Sequence, residues 1–267
     1  MPQTDDSFLK ILKDLDNYHK SFLYKQPNTT SLWSDEDTEG NYVQGGRGKW
    51  RMTNHLNQER DWEKISYSYN DDGLRGPKPD VNAKKKIIFA GNCVFFGHGV
   101  NVEDSFPHIY SKKIGASYIN ISESRIFTDM IEDIDRISKW FKPDKIVFSS
   151  CRFFDASSFI ELHMRLRFNK LFYKDKEQRA LIRNELRGRI KKSHFIHMTY
   201  IFEYLKNKYK CPIVYIHQKD FNPFTYEGIN IININEDLMV DLGRDNKHPG
   251  PQSHNLIANE IYKLQPE

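Results

Sequence analysis

The chain has 267 residues, 28% of them charged and 13% aromatic, and a formal net charge of +4. A balance this mild gives no reason to expect a nucleic-acid partner, and the aromatic content is ample for a packed core. No apolar run is long enough to cross a bilayer, no basic-then-apolar leader opens the chain, and three well-separated cysteines do not make a disulfide scaffold. The expectation is a soluble cytoplasmic protein.

Residues Asp6 to Lys25 carry apolar side chains at helical spacing behind the cap candidates Asp5, Asp6 and Ser7. Pro27 to Gly48 reads as loop. Its Gly45-Gly46-Arg47-Gly48 lacks the leading strand and trailing Lys-Ser/Thr of a phosphate cradle. Ile65 to Tyr69 alternates as a strand, Asn70 to Gly73 is a turn, and Lys78 to Lys86 is a linker into the main domain. Ile87 to Ala90 is then a short apolar run bounded by lysine and glycine, the pattern of a central parallel strand. Helices are predicted over Glu103–Ile114 and Phe127–Phe141, with a basic helical region from Ser157 to Tyr209 and a closing helix from His254 to Leu264. Strands are predicted over Ser117–Ile121, Lys145–Ser149, Ile213–His217 and Ile229–Ile234. Alternation of this kind predicts an α/β fold, a doubly wound parallel sheet between helical layers. Residues 1–83 then form an N-terminal extension and 84–267 the α/β domain.

Two places carry candidate chemistry. Gly91-Asn92-Cys93 sets a thiol just beyond the carboxyl end of the opening strand, where open α/β sheets bind ligands. The glycines after it do not make a nucleotide loop, because five residues separate Gly91 from Gly97 and His98 comes next instead of lysine. Near the other end, Asp245 and His248 stand three apart before the closing helix. A carboxylate so placed can fix an imidazole's tautomer while the second ring nitrogen takes a nucleophile's proton.

From about Ser66 to Leu264 the chain resembles the SGNH (GDSL-like) hydrolase family. The resemblance is carried by Tyr69 to Gly76, by Gly91-Asn92-Cys93 with Gly97-His98-Gly99-Val100, by Glu103 to Pro107, and by Asp245 to Ala258. It implies a three-layer α/β/α sandwich with its site at the carboxyl ends of the strands. It also implies ester hydrolysis, with Cys93 where the family has serine, His248 as base and Asp245 as its partner. The second block is altered to Asn120-Ile121-Ser122 with Arg125, and the third to Ser149-Ser150-Cys151-Arg152. The oxyanion and pocket positions would then be Asn92, Ser122, Arg125, Ser150, Cys151 and Arg152, with turn amides and Ser122, Ser150 or Arg152 in place of the missing donors.

These departures leave three readings open. One is a cysteine esterase acting without a cofactor on a small O-acyl or carbohydrate ester. A second is a catalytically silent protein kept for binding or assembly, with a protein partner at the extension or the basic region. The third is a metal or redox site of Cys93, Cys151 and His248. His194 with His197, and Trp33, Trp50 and Trp62, are read first as packed or solvated side chains, with metal and sugar binding as the sharper alternatives.

Overall fold

A computed structural model describes residues 27–34, 37–38, 65–122, 127–149, 198–218, 225–234, 236–245 and 248–264. The helix expected over 6–25, the glycine-rich loop at 45–48, Trp50, Trp62, Arg125, Ser150, Cys151, Arg152, His194 and His197 lie outside these residues.

Among the described residues five parallel strands form the sheet: β3 (Lys86–Ala90), β4 (Ser117–Asn120), β5 (Lys145–Phe148), β6 (Ile213–Gln218) and β7 (Asn230–Ile234). Their order is β4-β3-β5-β6-β7, with β3 paired to both β4 and β5. The chain first steps from β3 to one side, then crosses back to the other. The crevice at the ends of β3 and β5 is therefore the topological switch point, where this strand order binds ligands.

Why the opening strand reads as an unbroken apolar run is visible in the packing. Side chains alternate across a strand, so Ile87 and Phe89 enter one core while Ile88 and Ala90 enter the other. The first core is closed by α2 (Phe106–Ile114) and α5 (Pro251–Lys263), and the second by α3 (Phe127–Phe141) and α4, the helical residues 198–208. The result is a three-layer α/β/α sandwich. In α3, Met130, Ile134, Ile137 and Phe141 fall on one buried face at spacings of three and four. Each contributes about 1.5–3 kcal/mol by burial.

Three expected elements differ in detail. The stretch from Glu103 is not one helix: a 3-10 turn at Val102–Asp104 is followed by extended Ser105 before α2 begins. Pro107 has no N–H to donate back to residue 103, so it is tolerated only in a first turn. The closing helix starts at Pro251, earlier than His254, because proline suits the first helical position. Its free N–H groups at Gln252 and Ser253 donate to the Asp241 carboxylate at 3.0 and 2.8 Å. Only Tyr67–Ser68 of the 65–69 segment is a strand (β2), and it pairs antiparallel with Thr30–Ser31 (β1), inside a stretch expected to be loop.

Candidate active site

Cys93 opens a single helical turn, α1 (Cys93–Phe96), directly after β3. Asn92 caps it by accepting the Val94 N–H at 3.0 Å, and Gly97 ends it in the left-handed region at φ 81°. The Gly97 and His98 N–H groups both return to the Cys93 carbonyl, at 3.1 and 3.3 Å. No side chain fits at Gly91, since an added Cβ would lie 2.7 Å from both the Phe95 ring and Ser149 Oγ. Cys93 itself is half-buried.

The neighbouring strand ends hold this turn. Asn120 Nδ2 donates to the Phe95 carbonyl at 2.8 Å, while Asn120 Oδ1 accepts the Ser122 N–H at 3.1 Å. Ser122 therefore presents a hydroxyl, because its amide is already bonded. Both Ser122 Oγ, beyond β4, and Ser149 Oγ, beyond β5, are buried without a hydrogen-bond partner among the described residues. These two orphan hydroxyls flank β3, whose own end carries Cys93. Ser149 opens the altered third block but is not among the pocket residues expected from it.

The opposite wall is the loop before α5. Asp245 and His248 are buried, and Asp245 Oδ2 is hydrogen-bonded to His248 Nδ1. The other carboxylate oxygen accepts the His248 backbone N–H at 3.1 Å. This double attachment fixes the ring and places its proton on Nδ1, leaving Nε2 as the basic nitrogen. The Gly243 N–H donates to the His248 carbonyl at 2.8 Å and closes the loop.

Gly99 brings the two walls together. Its carbonyl accepts the Arg244 N–H at 2.9 Å, and an added Cβ would stand 2.9 Å from that nitrogen and 3.1 Å from Asp245 Oδ1. With φ at 78° and no room for a side chain, glycine is required there. As a result the His98 and His248 rings lie 5.4 Å apart between centroids. The Gly97–Val100 loop that follows the Cys93 turn thus packs against the loop that carries Asp245 and His248.

Several residues that hold the site were not found from the sequence. Arg75, nearly fully buried, donates to the carbonyls of Phe96, Gly97 and Val100 at 2.7, 2.6 and 2.6 Å. Its guanidinium lies 4.3 Å from the centre of the Tyr67 ring, and burial pulls its pKa down. It satisfies the carbonyls left open where α1 ends. Arg244 is also buried, over the ring of Trp33 at 4.1 Å, so that tryptophan packs on an arginine. His98 Nδ1 is 2.7 Å from Ser34 Oγ. The only signal for these residues was adjacency: Arg244 precedes Asp245, and Arg75 lies within the Tyr69–Gly76 block.

Two other groups are chemically quiet. His254 is buried, accepts the Phe106 N–H on Nδ1 at 3.2 Å, and has its pKa lowered to about 3 by desolvation, so it is neutral. Burial pushes the Cys211 thiol up to about 11. Among the described residues no three His, Cys, Asp or Glu side chains converge to hold a metal. No helix among them is long and apolar enough to cross a membrane.

No family model matches the chain, and no curated protein does. Among solved structures it is similar to a protein assigned to the lipolytic G-D-S-L family from Desulfitobacterium hafniense DCB-2, at 11% identity and a TM-score of 0.41, covering 68% of this chain and all of that one. It is similar to a family two carbohydrate esterase from Clostridium thermocellum, solved with cellohexaose, at 15% identity and 0.39, covering 71% and 65%. It is also similar to a lipase/acylhydrolase from Enterococcus faecalis, at 14% and 0.38, covering 68% and 98%. These neighbours are GDSL-type hydrolases and esterases. Identities this low say nothing about any single residue of the site.

Proposed function

We propose that the chain is an SGNH-like acyl hydrolase using a Cys93–His248–Asp245 triad on a small O-acyl ester, carbohydrate-borne or similar. The observation that carries this reading is the buried Asp245–His248 pair, tied through Gly99 to the turn that begins at Cys93. His248 Nε2 takes the thiol proton as sulfur attacks the acyl carbon. The C–O bond breaks, the imidazolium returns its proton to the departing alcohol, and a thioester remains. Water then attacks the thioester, giving up a proton to His248; the carboxylic acid leaves and the thiol is restored. Oxyanion charge would be met by the turn's backbone and by the free Ser122 hydroxyl. Residues 1–83 serve in this reading as an extension packed on the hydrolase domain.

A second reading, a silent protein that binds the same class of ligand, is favoured by one feature: the Ser122 amide is occupied by Asn120. Hydrolysis of a short-chain aryl ester by wild type, Cys93→Ala and Cys93→Ser separates the two. Loss of activity in the alanine form is the expected result, and equal background in all three overturns the cysteine triad.

A further inference from the structure

We propose that the N-terminal extension is a working part of the acid–base pair, with Asp37 a positioning residue that acts through Arg244 on Asp245 and His248. This rests on the triad reading above.

Arg244 directly precedes Asp245, and its side chain is 1% exposed. Its Nε and Nη2 both donate to Asp37 Oδ2, at 2.9 and 2.7 Å. Nη1 donates to the Ile65 carbonyl at 3.2 Å, Nη2 also reaches the Leu32 carbonyl, and Trp33 lies against the guanidinium face. Every one of these partners belongs to the extension. Asp37 Oδ2 also accepts the Tyr67 hydroxyl at 2.6 Å, and the Tyr67 oxygen accepts the Gly99 N–H at 2.8 Å. Gly99 closes a ring of bonds through its carbonyl to the Arg244 N–H at 2.9 Å. Both walls of the site are therefore clamped by one carboxylate from the extension.

A second attachment runs parallel. The Asp37 N–H donates to Ser34 Oγ at 3.2 Å, and Ser34 Oγ is hydrogen-bonded to His98 Nδ1 at 2.7 Å, beside His248. Packing alone does not call for such an arrangement. A buried ion pair contributes little stability over apolar side chains of equal volume, whereas its fork of bonds fixes direction. Tyr67 from the extension faces the Asp37–Arg244 pair, His98 from the Cys93 loop bonds Ser34 and lies against the His248 ring, and His254 from α5 is within electrostatic reach of His248.

The test is the pH profile of Cys93 alkylation by iodoacetamide, read peptide by peptide by mass spectrometry, in full-length wild type, His248→Ala, Asp37→Asn and Tyr67→Phe. Unchanged slow alkylation of Cys211 reports an intact fold. At pH 7 the Cys93 rate should fall about tenfold in His248→Ala and about threefold in Asp37→Asn. A profile for Asp37→Asn that matches wild type overturns the proposal. Should Asp37→Asn expose Cys211, Tyr67→Phe decides: a raised Cys93 midpoint supports the role and an unmoved one overturns it. If His248→Ala itself leaves the profile unchanged, the triad reading fails first, which distinguishes the two failures.

Discussion

On the C-terminal side of the site, polar groups are bonded in layers. Asp245 holds His248, Arg244 is held by Asp37, and Asp241 caps α5. On the strand-end side, Ser122 and Ser149 bury hydroxyls with no partner among the described residues, although Asn120 nearby is bonded through both Nδ2 and Oδ1. The first side is built for rigidity, and bonds hold its imidazole whether or not a ligand is present. The second holds unspent hydrogen-bonding capacity next to a thiol, which costs stability and is recovered only when something fills it. The His248 ring is thus oriented in advance, while the strand-end hydroxyls still have hydrogen bonds to give.

The contrast can be broken most forcefully on the rigid side. Arg244→Met leaves Asp37 buried with the Tyr67 hydroxyl but without its counter-charge, and should lower unfolding free energy by about 3–5 kcal/mol in urea titration. Adding Asp37→Leu should return most of that loss; a double variant as unstable as the single would show that the pair does more than neutralise itself. On the other side, Asn120→Ala should cost about 2 kcal/mol, because the Phe95 carbonyl and the Ser122 N–H lose their partner. Ser122→Ala should instead be neutral or slightly stabilising, while ester turnover falls by about a hundredfold. Turnover unchanged in that variant would remove Ser122 from the oxyanion role. The smallest effect concerns His254, whose pKa falls from 6.5 to about 3 on folding. The unfolded chain binds the extra proton, so stability is full above pH 6.5 and declines as pH drops toward 3. Between pH 6.5 and 5.5 that amounts to about 1 kcal/mol. His254→Asn, which keeps an acceptor for the Phe106 N–H, should flatten the slope of melting temperature against pH over that interval.

The sheet was legible because its strands are short β-branched runs between charged or turn residues, as in Lys86–Ala90 and Ile213–Gln218. The acid–base pair was legible because three-residue spacing on a loop is local information. What escaped was non-local. Asp37 looked like one acidic residue in a polar loop, and nothing near it in sequence says that Arg244 will neutralise it. Arg75 and Arg244 carried the opposite bias, since arginine is ordinarily solvent-exposed and these two are enclosed. Ser122 was legible as a position but not as a role, because which of its groups is free depends on the Asn120 side chain. The helix starts at Phe106 and Pro251 shifted for a simpler reason: proline decides where a first turn can begin.

The Asp37–Arg244 contact joins residues 207 positions apart. On a ribosome adding 5–20 residues per second, roughly 10–40 s elapse between synthesis of one partner and the other. Through that interval the sheet's first strands can pair, but the extension has no arginine to close on. Its contacts belong to the slow, long-range class of folding events. The loop that carries Asp245 and His248 is thus closed at the end of assembly, and a nascent chain carries its Cys93 turn well before it carries the imidazole of the opposite wall.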